Sequence, residues 1–347
     1  MPGRKLRDSD PIQQQWSVKC MEPISRIDST TNQLFFRGYN VTDFGNRYDF
    51  ETVLFLLING HWPSDLELAA ITKKLVKLRE FYNDDVDSLS DLAWSLDRIK
   101  DDNKLDIHDT LLTFVALTPL VVANETNSQV NRFVKLPSNK NLGHAANFLW
   151  LTKGAVPTEK DLRDFQTALI LHMDDPDNPS LSKLQEFLKK EKSISEVLLS
   201  ALNVHANPLH HGAGTEAVAM FQEIRAQSNA RSYLAQRLDS GGKIYGLGHR
   251  IYRGMDPRAI ILREMLERRA HGTSAEWLLR ISDIVAQEGR SLLLEKKRID
   301  AYPNVDLYNA AVYFTFGFPP ELNTSFFALS RAAGWMAHVL EFYSKDE

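Results

Sequence analysis

The chain has 347 residues, of which 43% are hydrophobic and 25% charged; this is ordinary for a soluble globular protein and is more chain than one core usually serves. Its net charge of -4 gives no reason to expect a nucleic acid or an anionic membrane as a partner. The single cysteine, Cys20, excludes an internal disulfide, and no apolar stretch follows the charged first residues as a signal peptide would require, so we expect a cytoplasmic protein.

Strand signals are strong only near the start of the chain. The segments ISRID (24–28) and QLFFRGY (33–39) flank the turn-like STTN and predict a small N-terminal β-hairpin. After the hairpin, Ser64 and Glu67 have the spacing of a capping box and predict a helix that runs through Tyr82.

The middle of the chain carries two features that differ from an ordinary amphipathic helix. The acid-rich residues 84–102 predict a surface connection. The apolar run LLTFVALTPLVVA (111–123) contains Pro119 and is shorter than the roughly 20 residues that a transmembrane helix needs, so we expect no membrane partner.

Helical periodicity dominates the rest of the chain. Thr158 with Asp161 predicts a second capped helix start, and Asp256 before Pro257 predicts an N-cap followed by proline at the first helical position. Pro320 opens the last long helix in the same way. These patterns predict a mostly α-helical protein.

Two stretches place histidines beside glycines. In NPLHHGAGTEAV, His210 and His211 fit either a closely packed helix N-terminus or an imidazole aimed into a cleft. A zinc site that adds His205 would lack a carboxylate or cysteine ligand at motif spacing. In GLGHRIYRGMDPRA, the glycines allow close backbone approach, and the arginines fit either a solvated basic helix start or an anion-binding turn. The residues of interest in that stretch are Gly246, Leu247, Gly248, His249, Arg250, Arg253 and Arg258.

Two further side chains have both a structural and a chemical interpretation. Asp306 precedes an apolar helix, where it can serve as an N-cap or as a general base. Arg331 has apolar or small residues three and four positions away, which predicts a buried guanidinium. A buried cation is costly unless an anion pairs with it, so a distant Asp or Glu, or an anionic ligand, must supply that charge.

Taken in order, these stretches resemble the citrate synthase family. The resemblance runs through PISRID, LFFRGY, DFETVLFLLINGHWPSDLEL, NLGHAANFLWLTKGAVPT, PLHHGAGTEAV, YGLGHRIYRGMDPRA, YPNVDLY and PPELNTSFFALSRAAGWMAHVLE, and so covers nearly the whole chain outside the acid-rich residues 84–106. It implies a transferase of the tricarboxylic acid cycle type. Such an enzyme joins acetyl-CoA, or another short acyl-CoA, to oxaloacetate or a related 2-oxo acid and releases CoA, with no metal and no permanent cofactor.

The resemblance also implies roles for individual residues. Asp306 would remove a proton from the thioester methyl group, His210 would donate a hydrogen bond to the enolate oxygen, and His249 would protonate the 2-oxo carbonyl. Arg258 and Arg331 would hold the oxo acid, which would supply the anion that Arg331 needs. The region that cradles CoA would comprise Gly246, Leu247, Gly248, Arg250 and Arg253.

The implied fold is all-α and has two domains. A large helical domain would contain residues 1–211 and 321–347, and a small helical domain, residues 212–320, would close over the substrates. Family members form homodimers, so we expect a homodimer here.

The chain departs from the family pattern at three places. Members usually read ADHExN where this chain has MDDPDN, so Asp175 stands at the position of a histidine that binds the oxo acid. Asn178 keeps the asparagine position, and the resemblance implies that both residues belong to the substrate-binding site. His211 stands where glycine is more usual, and after HVLE only Lys345 could replace an arginine-bearing segment that reaches the partner subunit's site. Because a carboxylate repels a dicarboxylate, these changes predict an acceptor other than oxaloacetate bound in the ordinary manner.

Three functions remain open from the sequence. The chain is a condensing enzyme with an altered acceptor, a plain citrate synthase, or a non-catalytic paralogue that binds a CoA thioester or an organic acid in a regulatory or scaffolding role. Turnover that depends on Asp306 would distinguish the first two from the third.

Overall fold

The structure is a computed structural model that describes residues 22–44, 47–81, 86–132, 136–206, 212–225 and 230–344. Within these ranges the chain is mostly α-helical with one small sheet near its start, which confirms the predicted fold class.

The small sheet has the strand order β1 (Ser25–Asp28), β2 (Gln33–Phe36) and β3 (Tyr39–Asn40), so the predicted hairpin is confirmed and gains a third strand. Strands β2 and β3 are antiparallel. The two residues between them, Arg37 and Gly38, have φ angles of 47° and 82°. Positive φ at both positions is the backbone of a tight hairpin turn whose twist matches that of its strands.

The helices before residue 206 are α1 (Phe50–Asn59), α2 (Asp65–Leu78), α3 (Leu89–Asn103), α4 (Ile107–Gln129), α5 (His144–Lys153), α6 (Glu159–Ile170), α7 (Pro179–Leu188) and α8 (Ile194–His205). The later helices are α9 (Ala213–Arg225), α10 (Ala230–Asp239), α11 (Pro257–Ala270), α12 (Glu276–Ile284), α13 (Arg290–Lys297), α14 (Asn309–Thr315) and α15 (Asn323–Tyr343). A π-helical turn, Val285–Gly289, joins α12 to α13 without a break.

The predicted helix starts agree with the structure in three of four cases. Ser64 forms a full capping box at the start of α2, Thr158 caps α6, and Asp256 caps α11 ahead of Pro257. Pro320 begins a short 3-10 turn instead, and α15 starts three residues later.

The prediction that the acid-rich residues 84–102 form a surface connection is wrong. Most of that segment is helix α3, which the Ser88 side chain caps by accepting from Asp91 N. Leu92 and Leu96 lie one helical turn apart and are buried. The acids line the opposite, solvent-facing side, so the segment is amphipathic although its composition is that of a loop.

Helix α4 is longer than the apolar run from which it was predicted. At 23 residues it is long and apolar enough to cross a membrane by length and composition alone, whereas the shorter apolar run predicted no such helix. However, 78% of its most apolar window is buried inside the protein, as in a core helix.

Contacts divide the chain into two compact units. Among the described residues, the first unit contains 22–26, 35–205 and 325–344, and the second contains 27–34, 206, 212–225 and 230–324. The domain boundaries expected at 211/212 and 320/321 stay predictions. The second unit also includes residues 27–34 near the chain start, which no sequence boundary indicated.

Candidate active site

Residues 246–249 of the second unit run beside residues 302–306. An isolated antiparallel bridge and two flanking backbone hydrogen bonds, of 2.7 and 3.0 Å, join the two segments. Two stretches that are far apart in sequence are thereby held side by side. They carry two of the predicted catalytic residues, His249 and Asp306.

Gly246 permits this close approach. Its φ is +83°, and a Cβ added there would lie 2.7 Å from Leu307 Cα. Gly241 has nearly the same φ, +82°, but no atom lies within 4 Å of its added Cβ.

We expect Gly246→Ala to lower the free energy of unfolding by about 1–3 kcal/mol more than Gly241→Ala does. Both variants share the left-handed backbone strain, and only the first places a methyl group against the Leu307 backbone. Urea denaturation of the two variants measures the difference. Equal losses would contradict the close packing of the two segments.

The protonation pattern of the His249 ring is set by its own loop. Its Nδ1 accepts hydrogen bonds from Ile251 N at 3.2 Å and Tyr252 N at 3.3 Å. Backbone N–H groups can only donate, so Nδ1 is the unprotonated nitrogen and the neutral ring carries its hydrogen on Nε2. His249 is therefore prepared to donate a proton through Nε2.

Asp306 is not the N-cap that its position in the sequence allowed. Asn304 takes that role for the short 3-10 turn Val305–Leu307, because its side chain accepts from Asp306 N. Desolvation by the surrounding protein raises the pKa of Asp306 to about 7; the positive charge of Arg258 works against that shift, and the negative charge of Asp256 adds to it. A carboxyl with a pKa near 7 is suited to accept a proton at neutral pH.

Arg258 and Asp256 form a buried, two-pronged ion pair. Arg258 Nε donates to Asp256 Oδ1 at 3.1 Å and Nη2 donates to Oδ2 at 2.8 Å. The side chains are 2% and 0% exposed. This geometry fixes the plane of the guanidinium that was predicted to hold the oxo acid.

Asn32 supports the same segment, a role that no motif in the sequence indicates. Its Oδ1 accepts from Gly254 N at 3.2 Å, and its Nδ2 donates to the Met255 carbonyl. Asn32 ends the turn between β1 and β2, so the N-terminal turn holds the backbone immediately before Asp256. The STTN motif predicted a turn, but nothing in the sequence indicated what that turn contacts.

Arg250 and Arg253, predicted to lie near CoA, are both exposed. Arg253 Nη1 donates to the Arg250 carbonyl at 3.4 Å, a long bond that holds it weakly. The pair gives the end of the 246–253 loop an exposed positive charge.

Arg331, in α15 of the first unit, is buried as predicted, with 1% of its surface exposed. Its Nε donates to the His172 carbonyl at 2.9 Å. The buried carboxylate of Asp174 supplies an opposing charge within the protein, because the positive charge of Arg331 lowers the pKa of Asp174. The sequence left open whether a distant acid or an anionic ligand opposes the charge of Arg331. A distant acid is present.

Asp175 and Asn178 lie in the turn that leads into α7. Asp175 is 9% exposed, and its Oδ1 accepts from Asp177 N at 3.1 Å. Asn178 caps the helix, because its Oδ1 accepts from Ser180 N at 2.9 Å and from Ser180 Oγ at 2.6 Å. The role proposed for Asn178 in binding substrate stays a prediction, and its capping role fully accounts for an asparagine here.

Comparison with known proteins identifies the family. A family model described as "Citrate synthase, C-terminal domain" matches residues 16–347. The chain belongs to the citrate synthase family. The citrate synthase of Haloferax volcanii is 30% identical over 349 residues, which cover 93% of this chain and 89% of the relative. A 2-methylcitrate synthase of Mycobacterium tuberculosis is 28% identical over 92% of this chain and 83% of its own length. The solved citrate synthase of Pyrobaculum aerophilum matches with a TM-score of 0.80 at 27% identity, covering 95% of this chain and 88% of that one.

Three positions to which the family resemblance gave importance lie outside the described residues. They are His210, the predicted partner of the enolate oxygen, its neighbour His211, and Lys345 near the chain end. Their roles stay predictions.

The described part of the chain contains one cluster of side chains that could hold a metal ion. Asp106, His108 and Asp109 come close enough together to hold an ion. Asp106, however, caps α4, and Asp109 binds Lys74 at 2.5 Å. His205, considered above for a zinc site, is buried with its ring edge-on to an aromatic neighbour in α15.

Proposed function

We propose that this member of the citrate synthase family is an acyl-CoA:2-oxo-acid condensing enzyme. The observation that carries the proposal is the pairing of segments 246–249 and 302–306, which holds a carboxyl with a pKa near 7 and a histidine with its proton on Nε2 in one unit. A weak carbon acid needs a base and a proton donor that act together, and these two groups supply that chemistry.

The proposed reaction begins with proton transfer from the carbon beside the thioester carbonyl to the Asp306 carboxylate. His210, by resemblance, donates a hydrogen bond to the enolate oxygen that forms. The enolate carbon attacks the 2-oxo carbonyl carbon, and His249 gives its Nε2 proton to that oxygen, which becomes a hydroxyl. Water then cleaves the thioester and CoA leaves as the thiol. Acyl-CoA is thus a co-substrate, and no resident cofactor or metal takes part.

Arg258 and Arg331 are the groups proposed to hold the carboxylates of the acceptor. Each is buried and each is oriented by another group of its own unit, Asp256 for the first and the His172 carbonyl for the second. Planar guanidinium groups that are fixed in this way suit the recognition of carboxylates. The segment Gly246, Leu247 and Gly248, together with Arg250 and Arg253, is proposed to contact CoA, whose phosphates require only accessible positive charge and close backbone approach.

The acceptor is proposed to differ from oxaloacetate bound in the ordinary manner, because Asp175 stands where the family has a histidine. Two like charges about 4 Å apart repel by about 4 kcal/mol at an effective dielectric constant of 20. A carboxylate at this position therefore favours an acceptor that has fewer negative charges or that brings a hydrogen-bond donor to Asp175.

We expect Asp175→His to improve the KM for oxaloacetate by roughly ten- to a thousandfold, since each 1.4 kcal/mol of repulsion removed corresponds to a factor of ten. Asp177→His is the matched control: it makes the same change of charge two residues away, on a half-buried side chain. Steady-state kinetics with oxaloacetate at saturating acetyl-CoA measure both. Equal effects of the two substitutions would contradict a role for Asp175 in choosing the acceptor.

CoA release from acetyl-CoA and propionyl-CoA, measured across a panel of 2-oxo acids, tests the proposed activity. We expect release with at least one acceptor. Binding of acetyl-CoA without release for any acceptor, at high protein concentration, would overturn the proposal in favour of the non-catalytic paralogue. The homodimer is proposed on the family resemblance alone, and the cytoplasmic location on the single cysteine.

A further inference from the structure

Asp174 lies at the centre of a buried polar cluster in the first unit. Its side chain is 0% exposed, and its Oδ2 accepts hydrogen bonds from Ser25 Oγ at 2.5 Å and from His338 Nε2 at 2.9 Å. The two donors come from β1 and from α15, which lie at opposite ends of the chain. A buried carboxylate is costly without such donors, and charge-assisted bonds of this kind are directional, so the cluster holds its members in one arrangement.

Helix α15 meets the turn that leads to Asp174 along one of its faces. Arg331, Gly334 and His338 are three and four positions apart, so they share that face. Arg331 Nε donates to the His172 carbonyl at 2.9 Å. A Cβ added to Gly334 would lie 2.6 Å from Asp174 Oδ1, so no larger residue fits between the helix and the turn.

Charge interactions also connect Asp174 with His338 and Arg331. Burial on its own raises the pKa of Asp174, but His338, Arg331 and Ser25 together outweigh burial and hold that pKa below its usual range. Asp174 is therefore a carboxylate that interacts with the buried guanidinium of Arg331. The next residue along the chain is Asp175.

We propose that Asp174 is a positioning residue: through its two donors it locks residues 172–175 against α15 and so fixes both Arg331 and Asp175 for binding of the 2-oxo acid. The inference rests on the proposed function, in which Arg331 takes a carboxylate of the acceptor. Asp174 itself touches no substrate in this scheme.

The positioning role makes a prediction opposite to that of a purely electrostatic role. If Asp174 acted only as a negative charge near the acceptor, weakening its anchorage would leave binding of an anionic acid unchanged or strengthen it. If it acts as an anchor, loss of one of its donors must weaken binding of the oxo acid and leave the binding of acyl-CoA unaffected.

His338 offers the test with a matched pair of variants, because its side chain is 13% exposed and its replacement disturbs the core less than replacement of Asp174. In His338→Gln, the amide nitrogen can occupy the place of Nε2 and donate to Asp174; in His338→Leu it cannot. We expect His338→Leu to raise the KM for the oxo acid roughly tenfold or more, from the strength of a hydrogen bond to a charged group. We expect His338→Gln to restore most of that loss, and the KM for acyl-CoA to change little in either variant.

Ser25→Ala removes the other donor. We expect it to raise the KM for the oxo acid and to leave the KM for acyl-CoA little changed. Far-UV circular dichroism and the thermal midpoint establish that each variant is folded. Equal KM values for the Gln and Leu variants, or a parallel rise in the KM for acyl-CoA, would overturn the inference.

Equilibrium binding separates this inference from the proposed function. If 2-oxo acids bind but no CoA is released, the proposed reaction is wrong, and the dissociation constants of the same variants still decide the role of Asp174. If no 2-oxo acid binds to the wild-type protein, the inference is overturned as well.

Discussion

Replacement of Asp306 by asparagine is expected to lower kcat by a factor of about 10² to 10⁴ with every acceptor, which is the usual contribution of a positioned general base. Asparagine keeps the size of the side chain and cannot take the proton from the acyl group. The KM values should change far less, because Asp306 is proposed to act on the reacting carbon and not on the bound carboxylates. CoA release under saturating substrates measures the effect.

The pH dependence of the wild-type enzyme provides a second readout of the same residue. The carboxylate form is the active base, and desolvation raises its pKa to about 7, so the rate should fall as the pH drops through about 7. The folding equilibrium changes in the opposite direction: because the pKa of Asp306 is raised in the folded state, protonation stabilises the folded protein, and this stability is lost as the pH rises from the ordinary range of a carboxyl to about 7.

Asp239→Asn serves as the control, because Asp239 is exposed and pairs with Lys296 on the surface. It should leave both the rate and its pH profile unchanged. A wild-type profile that stays flat down to pH 4, the ordinary range of a carboxyl, would contradict the environment that the structure gives to Asp306.

Replacement of Asp256 by asparagine is expected to lower the free energy of unfolding by about 3–5 kcal/mol, as when one partner of a buried ion pair is removed. The variant leaves the buried guanidinium of Arg258 without its carboxylate. Asparagine is also a good N-cap, so the start of α11 should be little affected and the loss reports the ion pair. Urea denaturation measures the change.

The Asp239→Asn variant is again the comparison, now as a surface ion pair. Its expected loss is below about 1 kcal/mol, because exposed pairs are screened by solvent. A loss for Asp256→Asn no larger than that of the control would show that the buried pair contributes little. An intact affinity for the oxo acid in Asp256→Asn would contradict the proposal that Asp256 orients Arg258 for the acceptor.

Local signals in the sequence predicted much of the fold. Caps such as Ser64, Thr158 and Asp256 lie within three residues of the groups they bind, so their chemistry can be recognised from spacing alone. The many acids of residues 84–102 suggest a loop, but the two buried leucines of α3, one turn apart, determine a helix.

The non-local contacts of the candidate site could not be predicted in this way. The sequence drew attention to Arg331 and Asp175, but nothing in it indicated that Asp174 lies between Ser25 and His338. The contact of Asn32 with the backbone before Asp256 is of the same kind. Such contacts join segments more than a hundred residues apart, and no periodicity or capping rule encodes the pairing.

The most direct test of the proposed condensation follows both carbons of a ¹³C₂-labelled acetyl group from acetyl-CoA into product. We expect one CoA to be released for each molecule of a product that contains the acceptor and both labelled carbons, and we expect Asp306→Asn to abolish nearly all of it. Labelled acetate as the sole product, or equal yields from the two proteins, would contradict carbon–carbon bond formation with Asp306 as the base.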